Sequence, residues 1–129
     1  MTGPARVLIV DDDEDLRELM SAVLRTSGHS TIAAEDGKAA LLALAADSGV
    51  RLIVLDLQMP VMDGRTFLAH KARGAHSAIP VIIFTSSPAL GLKRFPDVVA
   101  VVSKGAGVDG LLSAIAGTGG FDARHESGT

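Results

Sequence analysis

Carboxylate, hydroxyl and amino side chains stand where apolar stretches of this chain end. The groups that could do chemistry together are Asp11, Asp12, Asp56, Thr85 and Lys104. Clustered carboxylates repel one another, and Mg²⁺, a hard cation that prefers oxygen ligands, relieves that repulsion. A carboxylate can also act as a covalent nucleophile in phosphoryl transfer. These residue types therefore predict a Mg²⁺-dependent site at which Asp56 accepts a phosphoryl group.

Two of these groups suit the charge that such a reaction develops. Negative charge spreads over the transferred oxygens, and Mg²⁺ together with the ammonium group of Lys104 would neutralise it. The hydroxyl of Thr85 could donate a hydrogen bond to a phosphoryl oxygen once that group is attached. We therefore expect Thr85 and Lys104 to lie beside Asp56.

Short apolar runs predict the strands that would bring these groups together. Each run has the length of a buried strand and is bounded by polar or turn residues. The five runs are Val7–Val10, Thr31–Ala34, Leu52–Leu55, Val81–Phe84 and Val98–Val102.

Helical patterns separate these strands. Gly28 ends the first predicted helix, Asp36 caps a second over Lys38–Ala46, and Asp63 caps a third over Arg65–Ala72. Apolar spacing then assigns the buried faces of the helices. The residues on these faces are Leu16, Leu19, Met20, Val23 and Leu24 in the first helix, Ala40, Leu41, Leu44 and Ala45 in the second, Phe67 and Leu68 in the third, and Val108, Leu111, Leu112 and Ile115 in the last.

Alternating strands and helices indicate an α/β fold with a parallel sheet and helices on both faces. The carboxyl ends of parallel strands lie along one edge of the sheet, so the polar groups that follow the strands should converge there. The stretch Pro88–Pro96 breaks the pattern, because two prolines and Gly91 allow at most a couple of helical turns.

Composition bounds the class of protein. The chain has 129 residues, 47% of them apolar, which fits one domain with a proper core. A net charge of −3 disfavours a direct nucleic-acid surface. No run approaches the roughly 18 apolar residues of a membrane span, and no signal peptide is evident. We expect a soluble cytoplasmic protein that does not bind membranes.

Four stretches of the sequence resemble the receiver domain of two-component response regulators. They read VLIVDDD, LIVLDLQMPVMDG, VIIFTSS and VVSKG, and the resemblance runs from about Arg6 to Ala116. It implies a flavodoxin-like, doubly wound sheet of five parallel strands in the order 2-1-3-4-5, here with a shortened or irregular fourth helix. We expect flexible residues 1–5, a receiver domain over 6–116 and a disordered tail over 117–129.

The resemblance also implies a role for each site residue. Asp56 would take a phosphoryl group from a phosphohistidine on a sensor histidine kinase or a histidine phosphotransfer protein. Thr85 matches the switch hydroxyl, and Lys104 matches the lysine that contacts the phosphoryl group. The implied Mg²⁺ ligands are Asp11, Asp12, Asp56 and the backbone carbonyl of Gln58.

Three functions remain open at this stage. The first is a stand-alone response regulator, not an enzyme in the usual sense, that phosphorylates and dephosphorylates itself and switches the binding of an unknown downstream protein. The second is a receiver-like module that docks without phosphorylation. Val101, where the family often has an aromatic residue, and Gly105, where it usually has proline, favour this docking module. The third is a phosphate shuttle or sink in a phosphorelay.

Overall fold

The computed structural model describes residues 5–118, and strands and helices alternate along this stretch as the sequence predicts. Within these residues the strands are β1 (Arg6–Val10), β2 (Ser30–Ala34), β3 (Val50–Leu55), β4 (Val81–Thr85) and β5 (Val98–Ser103). The α-helices are α1 (Glu14–Thr26), α2 (Gly37–Ala46), α3 (Gly64–Ala72) and α4 (Gly107–Gly117). None of the helices described is long and apolar enough to cross a membrane.

The strands form one parallel sheet in the order β2-β1-β3-β4-β5, which confirms the predicted flavodoxin-like topology. β1 and β3 are two of the three inner strands, where a strand is covered on both faces and must be apolar throughout. Every residue of Val7–Val10 and Leu52–Leu55 is buried accordingly. These two strands therefore carry unbroken apolar runs and place Asp11 and Asp56 at their carboxyl ends.

Each face of the sheet has its own apolar core. On one face, side chains of β1, β3 and β4 pack with α2 and α3, through residues such as Leu44, Phe67 and Leu68. On the other face they pack with α1 and α4, through residues such as Met20 and Leu111. The alternation of side chains along each strand divides the apolar residues between the two cores.

Aspartates begin three of the helices in this part of the chain. Asp36 accepts a hydrogen bond from the backbone N–H of Ala39 at 2.8 Å, and Asp63 accepts one from Thr66 at 2.9 Å. Both predicted caps are confirmed. Asp13 caps α1 in the same way, so one member of the acidic run caps this helix.

Two residues assigned to buried helix faces are exposed. Leu19 is 50% exposed, because α1 turns only the side of Met20 and Leu24 towards the sheet. Ala45 is also exposed, while Ala40 and Leu44 are buried. The sequence of α2 is apolar on nearly all sides, so spacing alone could not select the face that packs.

The connection between β4 and β5 contains no α-helix. Its one helical element is a 3-10 turn at Leu92–Arg94, which confirms the prediction of a shortened fourth helix. Leu92 and Phe95 are the residues of this connection that are buried in the core. The proposed receiver domain ends at residue 116, while Gly117 still belongs to α4; residues 1–4 and 119–129 lie outside the described residues.

A buried ion pair fixes the start of β5. The ammonium group of Lys71 on α3 lies 2.5 Å from Asp97 Oδ2, and it also donates to the carbonyl of Ser77 at 3.1 Å. The side chain of Lys71 is fully buried and that of Asp97 is 7% exposed. A charge in such a place depends on its partner, since neither group can recover its hydration.

We expect Lys71→Met to lower the free energy of unfolding by about 3–5 kcal/mol, because it leaves Asp97 buried without its cation. Urea denaturation measures the loss. The double variant Lys71→Met/Asp97→Leu should regain most of it, since an apolar pair replaces the ion pair. A loss below about 1 kcal/mol in the single variant would show that the pair is not needed.

A second ion pair joins β1 to the turn before β3. Arg6 Nε lies 2.6 Å from Asp47 Oδ2, and its Nη2 donates to Oδ1 at 3.0 Å. Hydrogen bonds from Arg6, and then one from the backbone N–H of Gly49, lower the pKa of Asp47. The lowered pKa means that the folded state prefers the ionised carboxylate.

This preference makes a pH-dependent contribution to stability. It is fully present above the unfolded-state pKa of about 3.9 and is lost as the pH falls through the lower folded-state value. Asp47→Asn should therefore lower the urea midpoint at pH 7, and the gap to the wild type should close below about pH 4. Glu35→Gln, which removes one exposed charge, is the control; an equal effect from both variants would argue against the specific pair.

Candidate functional site

The polar groups that follow the strands meet at the carboxyl edge of the sheet. The backbone N–H of Asp11 donates to Ala34 O at 3.1 Å, and that of Asp56 donates to Val10 O at 3.0 Å. These bonds continue the strand ladders one residue beyond β1 and β3, so both carboxylates are fixed where the strands end. Thr85 closes β4, and Lys104 follows β5.

Asp56 is the centre of the site. It is 5% exposed, and different partners contact its two carboxylate oxygens. Thr85 Oγ1 donates to Oδ1 at 2.8 Å, and Lys104 Nζ lies 3.0 Å from Oδ2. The backbone N–H of Gln58 also donates to Oδ1, at a longer 3.4 Å. The structure thus brings Thr85 and Lys104 beside Asp56, where the sequence placed them.

Asp11 and Asp12 complete the acidic cluster in unequal ways. Asp11 is 1% exposed; its Oδ2 lies 2.9 Å from Lys104 Nζ, and its Oδ1 accepts from the backbone N–H of Asp13 at 2.9 Å. Asp12 is exposed to solvent. One carboxylate oxygen from each of Asp11, Asp12 and Asp56 lies within 4.8 Å of the others.

Burial and pairing set the charge of these groups. Burial raises the pKa of Asp11, and the hydrogen bond from Lys104 opposes that rise without cancelling it. Burial would lower the pKa of Lys104, but its contacts with Asp11 and Asp56 together raise it above the usual value. Lys104 is therefore held as a cation between two carboxylates.

The donor set fits a hard divalent cation. When ionised, three carboxylates carry three negative charges and Lys104 carries one positive charge, which leaves two negative charges for an ion to balance. All candidate ligand atoms are oxygens, which Mg²⁺ prefers. Gln58 lines the same depression of about 660 Å³ as Asp12, Asp56 and Lys104. The depression leaves room for water or a phosphoryl group.

A loop that passes close to Asp56 supports this depression. The backbone N–H of Gly64 donates to Leu57 O at 2.9 Å. A Cβ on Gly64 would overlap the carbonyl oxygen of Asp56 and would come within 2.8 Å of Leu57 Cα. Val61, in the loop between Leu57 and Gly64, has a φ of +67°, which is a strained value for a β-branched residue.

Arg65 is a neighbour of the site that sequence reasoning missed. Its guanidinium donates to Leu90 O at 2.5 Å and to Pro88 O at 3.2 Å. It thereby holds the segment that follows Thr85, whose hydroxyl accepts from the backbone N–H of Ser87 at 3.2 Å. No sequence signal marks this contact, because the acceptors are backbone carbonyls that any residue would supply.

Comparison with known families agrees with this geometry. The family model for the response regulator receiver domain matches residues 7–114. The chain belongs to this family. Receiver domains are signalling domains of two-component systems, and the acidic cluster described above lies within the matched residues.

Curated relatives of this receiver domain are longer regulators. The transcriptional regulatory protein GlrR of Escherichia coli is 35% identical over 102 residues, which are 79% of this chain and 21% of GlrR. The response regulator protein FleR of Pseudomonas aeruginosa is 38% identical over 82 residues, which are 64% of this chain and 17% of FleR. The chain therefore spans about a fifth of the length of these relatives.

Solved receiver structures share the fold. The chemotaxis protein CheY4 of Vibrio cholerae superposes with a TM-score of 0.76 at 25% identity, covering 88% of this chain and 98% of CheY4. The response regulator TrrA of Thermotoga maritima, whose structure is a complex with Mg²⁺–BeF, superposes with a TM-score of 0.75 at 25% identity. The superposition covers 87% of this chain and 96% of TrrA.

The close approach of Gly64 to the backbone of Asp56 gives a test of the site's packing. Gly64→Ala should lower the free energy of unfolding by about 1–3 kcal/mol, because the new methyl group meets backbone and not a movable side chain. Gly117→Ala is the matched control, since a Cβ there meets nothing within 4 Å. Equal urea midpoints for the two variants would show that the loop shifts to accommodate the methyl group at little cost in stability.

Proposed function

We propose that this receiver domain accepts a phosphoryl group on Asp56, in a Mg²⁺-dependent reaction, from a phosphohistidine of a sensor histidine kinase or a histidine phosphotransfer protein. The modification then switches the binding of a downstream protein. One observation carries the proposal: Lys104 and Thr85 contact opposite oxygens of Asp56, and one oxygen from each of Asp11, Asp12 and Asp56 lies within 4.8 Å of the others.

The residues that would hold Mg²⁺ are Asp11, Asp12, Asp56 and the backbone carbonyl of Gln58. When bound, the ion supplies positive charge to the phosphoryl oxygens. The structure of TrrA, which shares the fold at 25% identity, is a complex with Mg²⁺–BeF and supports Mg²⁺ as the ion. Lys104 already bridges Asp11 and Asp56, so it can turn from these carboxylates to the incoming group.

Asp56 acts as the nucleophile in this proposal. A carboxylate oxygen forms a bond to phosphorus while the bond between phosphorus and the donor's imidazole nitrogen breaks, and the electron pair stays on that nitrogen. Lys104 Nζ stabilises the charge on the transferred oxygens from a site that is partly closed to water. Gln58 and Ser87 match positions that tune dephosphorylation in the family, and both are polar. We propose that the phosphoryl group is also lost by spontaneous hydrolysis.

Thr85 connects the modification to the neighbouring loop. Its hydroxyl now donates to Asp56 Oδ1 and accepts from the N–H of Ser87. A phosphoryl group adds about −1.5 to −2 charges and competes for this hydroxyl. If Thr85 turns towards the phosphoryl oxygens, its contact with Ser87 changes, and the two states of the loop differ in their interactions.

A docking module that needs no phosphorylation is the alternative. Val101 stands where the family often has an aromatic switch residue, and it is 52% exposed. A valine cannot swing a ring between a buried and an exposed position. A downstream partner could therefore recognise this surface in one fixed state.

The decisive experiment is intact mass spectrometry after incubation with Mg²⁺ and acetyl phosphate. We expect the wild type to gain the mass of one phosphoryl group in a base-labile adduct, and Asp56→Asn to gain none. Asp109→Asn, which removes an exposed carboxylate on α4, should react like the wild type. If no adduct forms while calorimetry shows Mg²⁺ binding, the docking module becomes the better account.

A further inference from the structure

One crossover of the described sheet lacks the α-helix that covers the others. α1, α2 and α3 each join successive strands, whereas β4 and β5 are joined through the 3-10 turn Leu92–Arg94. The face of β5 on the α3 side is only partly covered as a result. Val99 and Val101 on that face are 50% and 52% exposed, and Leu90 on the connecting segment is 80% exposed.

These residues form an apolar groove, which we define by Leu90, Leu92, Phe95, Val99 and Val101. It has a volume of about 560 Å³. Leu92 and Phe95 are buried in the core and make its floor. The remaining walls are exposed aliphatic side chains, which are costly to leave in water when contiguous. The groove is separate from the acidic depression over Asp56, since the two share no lining residue.

The charge on the groove is positive. Lys93 is the one charged residue among those of residues 5–118 that line it. Arg94 lies beside it, with its guanidinium 5.0 Å above the ring of Phe95. The nearby carboxylate of Asp97 is already paired with Lys71. An occupant of the groove therefore meets two cations at an apolar surface, and acidic side chains complement them.

A helix suits this groove better than a strand. The exposed valines project from the face of β5, and in this fold α-helices cover sheet faces. A helix about 10–12 Å across would lie where the other crossovers place one. A strand would instead add to the outer edge of β5 and leave the groove itself unfilled.

We propose that this groove binds an amphipathic α-helix of another protein, with an apolar stripe flanked by acidic residues. The inference deepens the proposed function by naming the class of downstream partner, yet binding itself requires no phosphoryl group. The groove is also linked to the phosphorylation site. Arg65 holds the carbonyls of Pro88 and Leu90, and the segment begins at Thr85, which contacts Asp56.

The test uses two stapled helical peptides of equal length. Both carry leucine at helical spacing; one has flanking glutamates and the other flanking lysines. Fluorescence anisotropy should show that the wild type binds the glutamate peptide at least about tenfold more tightly than the lysine peptide. Lys93→Glu/Arg94→Glu should reverse that preference, a result that general stickiness would not produce.

A second pair of variants tests the apolar wall. Val99→Thr/Val101→Thr keeps the side-chain shape and β-branching, so the fold should persist with an unchanged urea midpoint. Its affinity for the glutamate peptide should fall about tenfold. Leu42→Ser is the control, because Leu42 is 64% exposed on α2, away from the groove, and its loss should leave binding unchanged.

Three results would overturn the inference. The first is equal binding of the two peptides, and the second is no effect of either double variant. The third is a dimer in analytical ultracentrifugation that dissociates in Val99→Thr/Val101→Thr, because a second copy of the chain would then occupy the groove. The mass experiment on Asp56 is independent. Peptide binding without a phosphoryl adduct would reject the proposed function alone, and an adduct without peptide binding would reject the groove alone.

Discussion

One ammonium group lies between two buried carboxylates at the centre of this domain. Lys104 contacts Asp11 and Asp56 at 2.9 and 3.0 Å, and both acids are almost fully buried. Without that cation, two negative charges would share a small volume from which water is largely excluded, and their repulsion would oppose folding. The sheet order meets the same requirement, because adjacent β1 and β3 hold the two acids together and the residue after β5 supplies the lysine.

The balance of charge also explains the openness of the site. Asp12 stays exposed, and the depression beside Asp56 is lined mainly by polar groups. A fully closed pocket would have to neutralise the two remaining negative charges internally. An open one can take an ion from solvent, and such an ion would relieve the repulsion between the carboxylates.

Sequence patterns predicted the features that depend on local chemistry. The inner strands were recognisable because burial on both faces demands unbroken apolar runs. Asp36 and Asp63 were recognisable as helix caps because an N-cap needs a short polar side chain. Convergence of Asp11, Asp56, Thr85 and Lys104 followed from parallel topology alone.

Other features depend on contacts that the sequence does not encode locally. Ala45 was wrongly assigned to a buried face because α2 is apolar on nearly all sides. Leu19 was wrongly assigned because apolar spacing shows where the buried face of a helix lies but not how wide it is. The pairs Arg6–Asp47 and Lys71–Asp97 join residues that are distant in the chain, and any charge of the right sign would have matched equally well. Arg65 binds backbone carbonyls, which leave no trace in residue types.

The Lys71–Asp97 pair has a mechanical consequence for β5. It ties the amino end of the strand to α3, whereas the carboxyl end carries Lys104 into the acidic site. The ladder with β4 prevents β5 from sliding along its axis. β5 is therefore anchored at both ends, so a force on Lys104 acts along a strand that the buried ion pair holds at Asp97.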